Sequence, residues 1–204
     1  MIKDGPSISE AGKQDDGTTS RRAVLKGGIA ALFASVFSRE LGAASNTKVS
    51  ADAPKDVSIE LFSAAGKSEK IVTLPKVIKT DAEWTKQLSV QSFKVTRRSN
   101  TERAFSGEYA KSRGDGLYRC ICCSNALFDS KTKFESGTGW PSFWQPISSL
   151  NVIKNTDRSY GMQRDEIACG LCDAHLGHVF NDGPKPTGLR YCMNSVSLNF
   201  VPRG

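Results

Sequence analysis

Residues 115–129 read DGLYRCICCSNALFD, and the rest of the chain is best approached from there. An Asp-Gly turn signal opens a short apolar run into Cys120, Cys123 follows after two intervening residues, and a second run, NALFDSKTKF, begins at Asn125. Two thiols separated by two residues can both turn inward from one tight knuckle, with a strand on either side. The same spacing returns at Cys169 and Cys172. Two such knuckles supply four sulfur ligands for tetrahedral zinc. The separation of 45 residues between them exceeds the roughly 15 to 20 of a zinc ribbon, so the metal would staple distant parts of a larger domain. Two disulfides are the competing reading if the chain is exported, because oxidising compartments favour them. Cys122 should point away from the metal if Cys123 points at it, and reads as an ordinary half-buried thiol. A third set, Cys169, Cys172, His175 and His178, has three-residue spacing but too little chain between its pairs for a two-Cys, two-His finger.

Outward from the knuckles, Gly, Pro, Asn and Asp punctuate short runs: GWPSFWQPI, SYGMQRDEIAC, HLGHVFND and LRYCMNSVSLNF. Closely spaced strands of this kind predict a mainly β fold, two antiparallel sheets around a small core. The last run alternates, which would place Cys192 and Asn194 on one strand face with Val196. Before residue 80, VSIELF (57–62) and IVTLPKVI (71–78) read as strands, with Pro75 limiting the second. Thr80 and Glu83 form a capping-box pattern, predicting a short helix from Asp81, and a second helix is expected from Gln91 to Arg97.

The first 44 residues differ in texture. Arg21 and Arg22 precede an uncharged stretch, residues 27–38, which as a helix would span about 18 Å, short of the roughly 30 Å hydrocarbon layer. The pattern predicts a twin-arginine export signal over 1–44 with cleavage after Ala44, use of the twin-arginine export machinery, a periplasmic destination and no stable membrane insertion. Residues 45–79 then form a tether and N-terminal extension, and 80–204 the main domain. The 28 basic and 21 acidic residues leave a charge of +7. A zinc-ribbon module binding nucleic acid is the alternative this charge supports. The longest basic run in the core is only Thr96-Arg97-Arg98, however, so no nucleic-acid partner is expected.

If zinc takes the paired cysteines, Cys192 is the free reactive candidate. Arg190 precedes it by two residues, and the chain's two histidines, His175 and His178, sit together in HLGHVF. Positive charge and hydrogen-bond donors lower a thiol's pKa and make it a nucleophile.

TERAFSGEY (101–109), YRCICC (118–123), LFDSKTKFESGTGWPSFWQPI (127–147) and the long run 161–200 together resemble the methionine-R-sulfoxide reductase, or B-type, family across residues 80–202. The resemblance implies two antiparallel sheets, one structural zinc on Cys120, Cys123, Cys169 and Cys172, and reduction of the R epimer of methionine sulfoxide, protein-bound or free. It implies Cys192 as nucleophile, Trp140 as the ring receiving the substrate methyl group and Phe180 as an apolar wall. His175, His178, Asp182, Arg190 and Asn194 would surround the sulfoxide and tune the thiol. Sulfoxide oxygen leaves poorly unless protonated, so a donor such as His178, acting directly or through water, suits the chemistry. Attack by Cys192 would leave a sulfenic acid. Many members of the family carry a second, resolving cysteine where this chain has Thr138 in SGTGWPSF. An external thioredoxin-like or glutaredoxin-like thiol, or Cys122, would then have to recycle Cys192.

Overall fold

Residues 55–157 and 164–203 are described by a computed structural model. The export signal expected over 1–44 lies outside the described residues. Among those described, no helix is long and apolar enough to cross a membrane. In chain order they form β1 (Asp56–Phe62), β2 (Ser68–Pro75), α1 (Asp81–Gln87), α2 (Val90–Arg98), β3 (Gly116–Cys120), β4 (Ala126–Asp129), β5 (Lys133–Phe134) and β6 (Ser142–Phe143). There follow β7 (Val152–Asp157), β8 (Arg164–Cys169), β9 (His175–Phe180), β10 (Arg190–Met193) and β11 (Leu198–Pro202).

Two antiparallel sheets dominate, as the strand pattern predicts: a six-stranded one in the order β5-β6-β10-β9-β8-β7 and a three-stranded one in the order β11-β3-β4. Aromatic rings fill the space between them. Tyr118 of β3, Phe128 of β4 and Phe143 of β6 are all fully buried. Phe128 stacks on Phe143 with ring centroids 4.4 Å apart, and Tyr118 meets Phe143 edge-on at 5.0 Å. Rings of this size bury most of the apolar area that holds such a small core together.

The helices form where the caps dictate. Thr80 and Glu83 make the expected capping box at the start of α1, and Ser89 caps α2 one residue earlier than its expected start. Trp84 of α1 is buried, with Lys79 and Arg97 over its ring.

The β1–β2 hairpin forms a third, small sheet, and Pro75 closes it as the last residue of β2. Ile59 of β1 is buried in the common core. The fully buried amide of Asn151 accepts from Glu60 N at 2.8 Å and donates to Glu60 O and Ala126 O. Residues 55–75 are thus fastened to the main domain by both apolar and polar contacts.

The final run does not continue as one strand. β10 ends at Met193, a 3-10 turn covers Ser195–Ser197, and β11 then joins the other sheet. Cys192 and Val196 therefore do not share a strand face. The cause is Glu102, whose buried carboxylate accepts from Ser195 N at 2.7 Å and Val196 N at 3.0 Å and takes both amides out of any ladder. GWPSFWQPI likewise gives a strand at Ser142–Phe143 alone.

Candidate metal centre and active site

The two knuckles have the same backbone design. In the first, Ser124 N donates to Cys120 O and Cys120 N to Asn125 O; in the second, Asp173 N donates to Cys169 O and Cys169 N to Ala174 O. Ser124 and Asp173, each just past the second cysteine, adopt left-handed φ of 62° and 54°. Short polar side chains tolerate that conformation best. The result is that the sulfurs of Cys120, Cys123, Cys169 and Cys172 all lie within 4.8 Å of one another.

Cys120 and Cys172 sulfurs are 3.7 Å apart, and those of Cys123 and Cys169 3.6 Å. Sulfurs at about 2.3 Å from a tetrahedral centre would stand about 3.8 Å apart, so the set fits a zinc-sized ion. Disulfides are not formed: all six cysteines are free. His175 and His178 stand elsewhere, and among the described residues the four-cysteine cluster is the single metal-capable group. Neighbouring elements grip the knuckles: Arg97 of α2 donates through both terminal nitrogens to Cys172 O, Gln87 of α1 donates to Cys122 O, and Val77 N to Leu171 O.

Cys192 occupies the middle of the six-stranded sheet, opposite Ser142 on one side and His178 on the other. Its thiol faces a cleft of about 130 Å³ that Trp140, His178, Phe180 and Asn194 also line. Thr138 Oγ1 lies 3.9 Å from Cys192 Sγ. Gly177 of β9 makes this close pairing possible, because a Cβ there would lie 2.1 Å from Cys192 O. Burial raises the Cys192 pKa, and hydrogen bonds from Thr138 and Ser142 together with the charge of Arg190 offset this only in part. Arg190 acts in the expected direction, lowering the pKa, but burial is the larger influence. Much of Arg190's influence is directed elsewhere: it forms two hydrogen bonds of 2.9 and 2.8 Å to Asp182 and stacks 4.4 Å from the Phe180 ring centre.

The polar residues divide into those at the thiol and those behind it. His178 Nε2 lies 2.9 Å from Asp157 Oδ2. His175 is buried, with Nδ1 2.5 Å from Glu166 Oε1, and lies against the His178 ring rather than along the Cys192 cleft. Burial lowers its pKa, so it stays neutral near pH 7. Asn194 spends its amide on backbone, accepting from Glu102 N and donating to Leu176 O. Asp182 is exposed and faces Arg190. Cys122 is buried, and its sulfur neighbours Cys120, Cys172, Thr96 and Arg97 include none of those around Cys192.

Glu102, Asp157 and Glu166 escaped sequence reading. None stands in a pattern with chemical spacing, although Glu102 lies inside the quoted stretch TERAFSGEY and Glu166 inside the run 161–200. Glu102 is the most connected of them: besides Ser195 and Val196 it serves Asn194 through its N–H and accepts from Trp140 Nε1 at 3.2 Å through its carbonyl. It joins the cleft's aromatic wall to the turn that follows β10.

A β-rich domain with a four-cysteine clasp and, apart from it, a thiol beside imidazole and indole in a cleft has the architecture of a thiol oxidoreductase. Residues 88–202 match the family model for the SelR domain, and the chain belongs to that family. A protein of Pseudomonas syringae pv. syringae (strain B728a) named peptide methionine sulfoxide reductase MsrB is 56% identical over 130 residues, 64% of this chain and 99% of that protein. Its namesakes from Pseudomonas fluorescens (strain Pf0-1) and Pseudomonas aeruginosa (strain UCBPP-PA14) are 57% and 53% identical over 130 residues, each match covering 64% of this chain and 99% and 98% of theirs.

Proposed function

We propose that the protein reduces the R epimer of methionine sulfoxide, free or within polypeptides, to methionine. The observation that carries this reading is the placement of Cys192 in a cleft that Trp140, Phe180 and its cross-strand partner His178 also line. Family membership and the names of the relatives support it. The aromatic pair receives the methyl end of the substrate through sulfur and CH contacts, and the sulfoxide oxygen lies toward His178.

Cys192 enters as a thiol. Its sulfur takes over the oxygen while its proton passes to that oxygen, carried by His178 directly or through water. Asp157, beside His178 Nε2, stabilises the imidazolium that exists during the transfer. The methionine sulfur gains two electrons, the Cys192 sulfur loses two, and Cys192 is left as sulfenic acid. Thr138 offers no sulfur to capture it, and buried Cys122 lies in other surroundings. An external thioredoxin-like or glutaredoxin-like dithiol therefore attacks the sulfenic sulfur, water leaves, and the second thiol of the reductant frees Cys192 while the reductant becomes a disulfide.

Cys120, Cys123, Cys169 and Cys172 would hold one structural zinc, which would supply a cross-link between the two knuckles. The N-terminal 44 residues act as a twin-arginine export signal that delivers the folded chain to the periplasm, residues 45–79 serve as tether and extension, and 80–204 is the reductase domain. The sequence pattern supports this assignment. A turnover assay on separated R and S epimers with a small dithiol tests the function: reduction confined to the R epimer is expected, and reduction of the S epimer alone, or of neither, would refute it.

A further inference from the structure

A second cavity, about 450 Å³ in volume, lies at the outer edge of the six-stranded sheet, where β5 has no further strand beside it. Lys111, Arg113, Lys131 and Lys133 line it together with Phe134 and Glu135. None of these four cations makes a salt bridge among the described residues. Lys133 is half-buried with a backbone carbonyl, Ala110 O, as its acceptor at 3.2 Å. Burial holds its ammonium below the ordinary pKa, a deficit that the charge of Glu135 does not make up. Asp115 on the same wall is already engaged by Arg203. The cavity thus sets four cations against two carboxylates, one of them already engaged by Arg203, and keeps a net positive charge.

Its position ties it to the nucleophile. Phe134 pairs with Ser142 and Ser142 with Cys192, so the three side chains project from one face of the sheet. Two strand spacings of about 4.8 Å put that edge roughly 10 Å from Cys192. The chain makes the same connection: Glu135 lines the cavity, and three residues later Thr138 stands 3.9 Å from the Cys192 sulfur. An extended polypeptide covers such a distance in about three residues.

We propose that this cavity is a subsite for an acidic stretch of an oxidised polypeptide, engaged about three residues from the methionine sulfoxide that occupies the Cys192 cleft. The inference rests on the function proposed above. A concave site fits one or two extended side chains better than the broad face of a folded reductant, which makes the substrate its occupant.

The test uses the full chain, a small dithiol as reductant, and peptides bearing one methionine sulfoxide with Glu, Ala or Lys three residues away on either side. In dilute buffer, kcat/KM is expected to be about tenfold higher for Glu than for Lys, chiefly through KM. About 0.5 M salt should compress the difference. Replacing the three exposed cations together, Lys111→Gln, Arg113→Gln and Lys131→Gln, should level the series to within about twofold. Turnover of a capped single methionine sulfoxide should stay unchanged. Equal kcat/KM across the wild-type series overturns the subsite and leaves the reductase standing, whereas absence of turnover on every substrate, the capped one included, strikes at the reductase itself. If the triple variant differs from wild type only in its KM for a protein reductant, the cavity belongs to the electron donor and the proposal is wrong.

Discussion

The knuckle region and the Cys192 region use the same side chain in opposite surroundings. At the knuckles, two matching turns bring four sulfurs within 4.8 Å of one another. At β10 a single sulfur meets Thr138, Ser142 and Arg190, and burial dominates its titration. What distinguishes the two groups of cysteines is the company the backbone provides. Thiols that converge satisfy each other through a shared cation, while a lone thiol in a cleft remains available to a substrate.

The largest test of that contrast is Cys192→Ser. Reduction of methionine sulfoxide should fall by at least about 10³-fold, with zinc content and melting temperature preserved. Wild-type zinc with wild-type turnover would erase the distinction between the regions. Cys120→Ser should behave in reverse: one zinc ligand is lost, and stability drops by on the order of 5 kcal/mol, measured by metal analysis and chemical denaturation. A Cys120→Ser protein that kept both its metal and its stability would show that the cluster is not a clasp.

Smaller changes sharpen the boundary. Glu102→Gln turns an NH₂ toward amides that now share two carboxylate oxygens, and should cost about 1–3 kcal/mol of stability without releasing zinc. Denaturation curves and metal content read the two quantities separately. The mildest probe is pH. Because burial raises the Cys192 pKa, the reactive thiolate accumulates only above the ordinary thiol range, so alkylation of Cys192, followed by peptide mapping, should climb with pH to a midpoint higher than that of a free cysteine. A midpoint below that of free cysteine would mean that Arg190 outweighs burial after all.

Much of this could be read in advance where the signal is local. Cys-x-x-Cys fixes a tight turn, and Thr80 and Glu83 fix a helix start, each by chemistry within a few residues. The break after Met193 could not be read, because alternation continues straight through it and the cause lies 93 residues upstream at Glu102. Asn194 illustrates the same limit. An amide near a candidate nucleophile reads as a substrate contact, yet its hydrogen-bonding capacity goes to the backbone of Glu102 and Leu176. Partners contributed by distant, irregular segments leave no periodic trace.

The hairpin that precedes the family match has a practical consequence. The match starts at residue 88, whereas Ile59 and Glu60 reach Asn151 and the shared core from well before it. Trimming the gene to the matched region would strip away that cover and leave greasy surface and a lonely amide in water, inviting self-association. A fragment meant for crystallisation or immobilisation should begin near residue 55.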